Sequence, residues 1–218
     1  MSMTVITIET LLAAYSVGIF PMADSASDPD IYWVEPEKRG IFPLHSFHVP
    51  RSLAKTVRQM PFDVTVDQDF RRVMRECAAS RPGRHATWIN RTILDLYAEL
   101  HEAGYAHSVE CWRAGELVGG LYGVAFKGVF CGESMFSRET DASKVALVHL
   151  VARLIRGGYA VLDAQFITPH LARFGAIEID RREYLGLLRE AQETDADFYS
   201  LPEGLSGSEI LQSITQTS

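Results

Sequence analysis

The 218-residue chain lacks most of what would take it out of the ordinary globular class. No apolar run approaches the roughly 20 residues that a membrane span needs. The first residues, Met1 to Glu9, carry no basic region and no long apolar stretch, which speaks against a secretory signal. The three cysteines, Cys77, Cys111 and Cys131, are odd in number and show no C-x-x-C spacing, which points to a reducing, cytoplasmic setting and away from a zinc framework. The seven histidines form no H-x-x-x-H or H-x-E pattern, so no metal ligands are assigned. There is no phosphate-binding G-x-x-x-x-G-K-[ST], no G-x-G-x-x-G and no G-x-S-x-G around a serine nucleophile. Positive charge is also short: 21 Lys and Arg stand against 28 Asp and Glu, a net charge of −7. Any polyanion partner must therefore find a local basic face.

What is present is a 47% hydrophobic, 22% charged composition, enough for a real core in one large domain or one domain with an appendage. We divide it into a small N-terminal domain (1–36), a main domain (37–200) and a polar Ser/Gly-containing tail (201–218) expected to be mobile. Leu11, Leu12 and Tyr15 predict a short helix after Thr7, stopped by Gly18, with a Ser/Asp/Pro loop from Asp24 to Asp30 and an aromatic pair at Tyr32-Trp33.

Pro50 suits a first helical position. Leu53, Ala54, Val57 and Met60 then form an apolar stripe that leaves Arg51, Lys55 and Arg58 together on the other face. A second helix, with Asp67 as its expected cap, turns Phe70, Val73, Met74 and Cys77 inward and Arg71, Arg72 and Arg75 outward. From Arg51 to Arg91 there are nine basic residues against four acidic ones, leaving twelve against twenty-four elsewhere. These arginines are either a solvated helix face or a polyanion-binding one.

After a third helix (Ile93, Leu94, Tyr97, Leu100, closed by Gly104) the apolar period changes to two. His107 to Trp112, Leu117 to Phe126 and Val129 to Phe136 read as an antiparallel meander. Asp141 is expected to cap a mostly buried helix that runs through Leu154 to Gly157-Gly158, followed by a strand at Ala160 to Leu162 and short helices around His170 and from Arg181 to about Glu190. The class is α+β with a mixed sheet.

Glu133 lies in a strand otherwise built of apolar and small residues, Phe130 to Phe136. It is either paired within the protein, since a lone buried carboxylate is costly, or sits on the solvent side of an alternating strand. Asp163 and Gln165 end the strand after the buried helix, where functional groups often gather. Turn capping and a surface amide are the alternatives for that pair.

The stretches Ala14-Tyr15-Ser16-Val17-Gly18-Ile19-Phe20-Pro21, Ala106 to Glu110, Leu117 to Val124, Phe130-Cys131-Gly132-Glu133-Ser134-Met135-Phe136-Ser137, Ala142-Ser143-Lys144, Asp163-Ala164-Gln165 and Gly175-Ala176 resemble the leucyl/phenylalanyl-tRNA-protein transferases. The resemblance spans about Leu11 to Leu188. It implies an aminoacyltransferase that moves leucine or phenylalanine from tRNA to the α-amino group of proteins beginning with Arg or Lys, marking them for degradation under the N-end rule, with no cofactor and no membrane partner. It further implies a main domain of the Gcn5-related acetyltransferase type. Glu133 and Gln165 would be the central pair, with Asp163 supporting Gln165. Tyr15, Trp88, Phe130 and Met135 would line the site for the apolar side chain or the terminal adenosine. Arg51, Lys55 and Arg58 would form the tRNA-binding helix, to which the charge count adds Arg71 and Arg75.

Three positions depart from the family pattern: Met22 stands in place of a Trp after Phe-Pro, Val34 in place of the second Trp of a pair, and Ala164 in place of a Cys. The segment before Leu11 is also shorter than the family's usual one. A shift of donor, or of acceptor toward acidic N-termini, is the alternative these leave open. Two further alternatives are an acetyl-CoA-dependent N-acetyltransferase, for which Arg138 to Ala142 offers no glycine loop, and a non-catalytic tRNA-binding module, which would not need Glu133 or Gln165.

Overall fold

The computed structural model describes residues 6–79 and 87–215. Met1 to Val5 of the stretch searched for a signal, Arg81 and Arg84 of the basic segment, and the last three residues of the tail lie outside the described residues. Helix α1 (Ile8–Ser16) starts where the Thr7 side chain accepts the Thr10 N–H at 3.3 Å. The chain then forms a two-stranded ribbon, β1 (Phe20–Met22) and β2 (Tyr32–Val34), in which Pro21 faces Trp33.

The main sheet has seven strands. They are β3 (Lys38–Phe42), β4 (Asp63–Val66), β5 (Ala106–Arg113), β6 (Glu116–Phe126), β7 (Val129–Ser137), β8 (Val161–Gln165) and β9 (Ile177–Asp180), in the order β4-β5-β6-β7-β8-β3-β9. The meander β5-β6-β7 is antiparallel as its two-residue turns require; Ala114 and Gly115 both take positive φ, which matches the strand twist. β7 and β8 are parallel, so the chain must cross over between them. That crossover is the long helix α5 (Ala142–Arg156).

Each face of the sheet carries its own core. Val118, Leu121 and Ala125 of β6 pack with α5, α2 (Arg51–Gln59) and α8 (Gly207–Thr215). Leu117, Tyr122 and Val124 pack with α1, α3 (Phe70–Ala78), α4 (Arg91–Glu102) and α7 (Arg181–Ala191). The two basic helices α2 and α3 therefore lie on opposite faces, with edge strand β4 between them in the chain. The basic segment of the sequence is two surfaces rather than one.

Three expectations are corrected. The cap of α3 is Asp69, which accepts the Arg72 N–H at 3.1 Å, because β4 extends to Val66 and places Asp67 in the turn, where it takes the Ser108 N–H at 2.8 Å. Asp141 occupies the capping position of α5 but has φ 66° and binds Lys144 Nζ at 2.6 Å instead of a helix N–H. The tail expected to be mobile contains α8, whose Ile210 and Ile214 are buried and whose first turn is fastened by a reciprocal pair: Glu209 N–H to Ser206 Oγ at 3.3 Å, and Ser206 N–H to Glu209 Oε2 at 2.8 Å. Gly207 lets this helix meet α2, since a Cβ there would collide with the Val57 carbonyl oxygen.

Candidate active site

β7 and β8 pair at Val129 with Val161, Phe130 with Leu162 and Cys131 with Asp163, and then part. Both strands are irregular at that point. On β7, Tyr122 faces Ser134 and Gly123 faces Gly132, so Glu133 is the extra residue of a bulge. On β8, Ile41 faces Asp163 and Gly40 faces Gln165, which leaves Ala164 as the extra residue. A bulge re-aims a side chain that strict alternation would place elsewhere. Gln165 has φ 53°, and the Phe166 N–H donates to the Ala164 carbonyl at 2.6 Å, a tight and strained turn over Gln165. Both side chains consequently face one cleft of about 390 Å³. Its apolar walls come from Leu147 and Leu150 of α5, from Trp88 and Met135, and from Pro21 and Met22 of the ribbon.

The Glu133 carboxylate accepts the Tyr15 hydroxyl at 2.7 Å, the Tyr97 hydroxyl at 3.3 Å and a long 3.4 Å bond from the Gln165 side-chain amide. The two tyrosine hydroxyls are also bonded to each other. Burial raises the Glu133 pKa to about 8; the Tyr15 hydrogen bond opposes this, the Asp163 charge adds to it, and the Tyr97 hydrogen bond and Arg39 oppose it. Burial and the neighbouring Glu133 charge push both phenols well above their ordinary value, so they remain donors.

Behind Gln165, Asp163 is fully buried. It accepts Arg39 Nε at 2.9 Å and Nη2 at 2.6 Å, the Tyr184 hydroxyl at 2.9 Å and the Gln165 backbone N–H at 2.8 Å. The Arg39 guanidinium lies between the rings of Phe20 and Tyr184, 4.6 Å from each centroid, and also binds the Gly18 carbonyl at 2.9 Å. A charge pair this buried persists because every oxygen of the carboxylate is occupied. It fixes the backbone on which Gln165 is strained.

The model of the leucyl/phenylalanyl-tRNA protein transferase family matches residues 41–189, and the model of that family's N-terminal domain matches residues 5–37. The chain belongs to this family. The leucyl/phenylalanyl-tRNA protein transferase of Maricaulis maris (strain MCS10) is 58% identical over 96% of this chain and 97% of its own length. That of Phenylobacterium zucineum (strain HLK1) is 58% identical over 95% of this chain and 96% of its own. Among solved structures, L-PGS from Bacillus licheniformis aligns with 75% of this chain and 55% of that one at 14% identity and a TM-score of 0.42, a likeness too loose to carry an argument. The chain is thus an aminoacyl-tRNA protein transferase.

In this transferase Glu133 and Gln165 meet at the cleft and Trp88 and Met135 line it, while Tyr15, expected in the lining, is buried behind Glu133 and donates its hydroxyl to that carboxylate. Phe130 is a correction. It precedes the bulge, so its ring points into the α5-side core, against Tyr159 at 6.4 Å and Phe198 at 5.9 Å, and takes no part in the cleft wall. Of the three departures from the family pattern, Met22 and Ala164 line the cleft, while Val34 pairs with Phe20 on the ribbon. Arg39, Tyr97 and Tyr184 were missed by sequence reasoning. The available signal was that a buried Asp163 demands a cation, and Arg39 directly precedes the apolar run Gly40-Ile41-Phe42.

The basic helices differ in how their charge is used. Arg51, Lys55 and Arg58 are exposed on α2 and make no ion pair among the described residues. On α3, Arg71 is bound to Glu102 at 2.8 Å and Arg72 to Glu116 at 3.2 Å, whereas Arg75 is exposed without such a pair among the described residues. Among the described residues no group of three His, Cys, Asp or Glu side chains is arranged to hold a metal ion, and no helix is long and apolar enough to cross a membrane.

Proposed function

We propose that the cleft joins the leucyl or phenylalanyl ester at the 3′ end of tRNA to the α-amino group of a protein beginning with Arg or Lys, an N-end-rule tag for degradation. The observation that carries this reading is the meeting of Glu133 and Gln165, 3.4 Å apart, on the lining of one apolar cleft. An α-ammonium with a pKa of about 7.7–8.0 meets a carboxylate whose own pKa is about 8, so the proton passes between them with little cost. The freed amine attacks the ester carbonyl. The C–N bond forms, the carbon to ribose-oxygen bond breaks, the ribose oxygen leaves with one proton from the amine, and the proton held by Glu133 is released to solvent. The Gln165 amide donates to the carbonyl oxygen as charge builds there.

The ester is already activated, so alignment supplies most of the rate. Leu147, Leu150 and Met135 suit an apolar donor side chain; such a wall separates donors by only about 1–3 kcal/mol per methylene. Asp163 is neutralised by Arg39, so Glu133 is the carboxylate of the cleft that suits a cationic acceptor end and repels an acidic one. A mixed sheet with one parallel pair parting at the site supports reading residues 37–200 as Gcn5-related acetyltransferase-like.

The test incubates the protein with leucyl-tRNA and a peptide beginning with Arg, beside one beginning with Glu. Transfer to the Arg peptide that Glu133→Ala and Gln165→Ala both abolish supports the assignment; transfer untouched by both removes it. For the RNA, reversing Arg51, Lys55 and Arg58 to Glu is expected to weaken tRNA binding and to flatten the slope of log affinity against log salt by about 2 to 3. Binding titrations at several salt concentrations check this, and an unchanged slope would place the RNA elsewhere.

A further inference from the structure

In a chain of net charge −7, residues 39–62, 142–162 and 164–177 contain no Asp or Glu. The fold brings all three to the α5 side of the sheet, where Phe47, Leu53 and Val57, the buried face of α5, and Phe174 share one core. Of the acids that border them, Asp141 is neutralised by Lys144 at 2.6 Å and Asp163 by Arg39 at 2.6 Å.

A surface route leads from the cleft along these acid-free stretches. His170, in the short helix α6 (Pro169–Ala172), lines the cleft, and its ring meets Phe174 at 5.3 Å. Phe174 stacks on Phe47 at 5.9 Å, and its carbonyl takes the His48 N–H at 3.0 Å. Three residues later α2 begins with Arg51. Arg173 and His48 are exposed along the way and make no ion pair among the described residues. A cleft of about 390 Å³ holds an acyl group and little more than one nucleoside, so the rest of a charged RNA strand must run over the surface.

We propose that the single-stranded acceptor end of the donor tRNA leaves the cleft past His170 and lays its backbone phosphates on Arg173 and His48 before the RNA body reaches α2. The proposal rests on the reading of the cleft given above. Arg173 then acts on RNA-borne donors alone, because a donor that ends at its adenosine has no phosphate to offer it.

Two donors test this: leucyl-tRNA and the leucyl ester of adenosine, each with the Arg peptide. Arg173→Glu is expected to raise KM for leucyl-tRNA about tenfold at low salt, to leave kcat at saturation unchanged, and to flatten the salt slope of tRNA binding by about 0.7–0.9. The adenosine ester should be used as by the unaltered protein, and Arg173→Lys should restore the tRNA KM. Equal losses with both donors, or no loss with tRNA, would overturn the proposal. If the charge reversal disturbs folding, Arg173→Ala decides the same question through the salt slope alone: a flattened slope supports the route, and an unchanged one overturns it. Failure of the unaltered protein with both donors would instead sink the underlying reading of the cleft.

Discussion

Glu133→Gln is expected to lower the transfer rate by about a hundred- to ten-thousandfold, the range for loss of a positioned acid-base group. The pH profile distinguishes this role from simple charge attraction. With Glu133 as proton acceptor, kcat at saturating acceptor rises with pH through about 8, as the carboxylate loses its proton. Measured with an acceptor whose amine titrates well below pH 7, the glutamine variant should lose that limb. A variant whose profile keeps the full limb at reduced height would leave Glu133 as a binding group only.

Stability should move the other way. The carboxyl has a pKa of about 8 when folded against an ordinary 4.5, so between those values the folded state binds the extra proton. Stability therefore falls as pH rises through that window, and the penalty is complete above about 8. Glutamine carries no such penalty. Its melting temperature should match the unaltered protein near pH 4 and exceed it at pH 9, a comparison made by thermal denaturation at the two values.

Much of the architecture is legible in the sequence because local rules and the final packing agree. The period-two runs with their glycine turns specify the meander, and the apolar circumference of α5 specifies its burial. What escapes the sequence depends on single residues or distant ones. One extra residue at Glu133 and one at Ala164 change which face the following side chains meet, so alternation counted along β7 or β8 does not carry past either position. The Arg39 to Asp163 pair joins positions 124 residues apart, and no local pattern announces it. The charge excess between Arg51 and Arg91 is real, but the turn of the chain around edge strand β4 divides it between two faces. Helix α8 is readable in principle from Ser206-x-x-Glu209 followed by Ile210 and Ile214. The polar composition around it masks that signal.

Arg39→Met is expected to be the most destabilising single change near the site. It leaves the fully buried Asp163 carboxylate without its cation, a loss of about 3–5 kcal/mol, which for a chain of this length lowers the melting temperature by roughly 6–20 °C. The double variant Arg39→Met with Asp163→Leu removes both charges and should recover much of that stability, because two apolar side chains of similar volume need no desolvation. Activity should not return with it. Leucine cannot accept the Gln165 N–H, so the strained turn that aims the amide at Glu133 loses its anchor while the sheet around it stays intact. The comparison separates two roles that a single substitution confounds: if the double variant folds well and transfers at the original rate, the pair is scaffolding only; if it folds well and is inactive, the buried charge is retained for the position of Gln165.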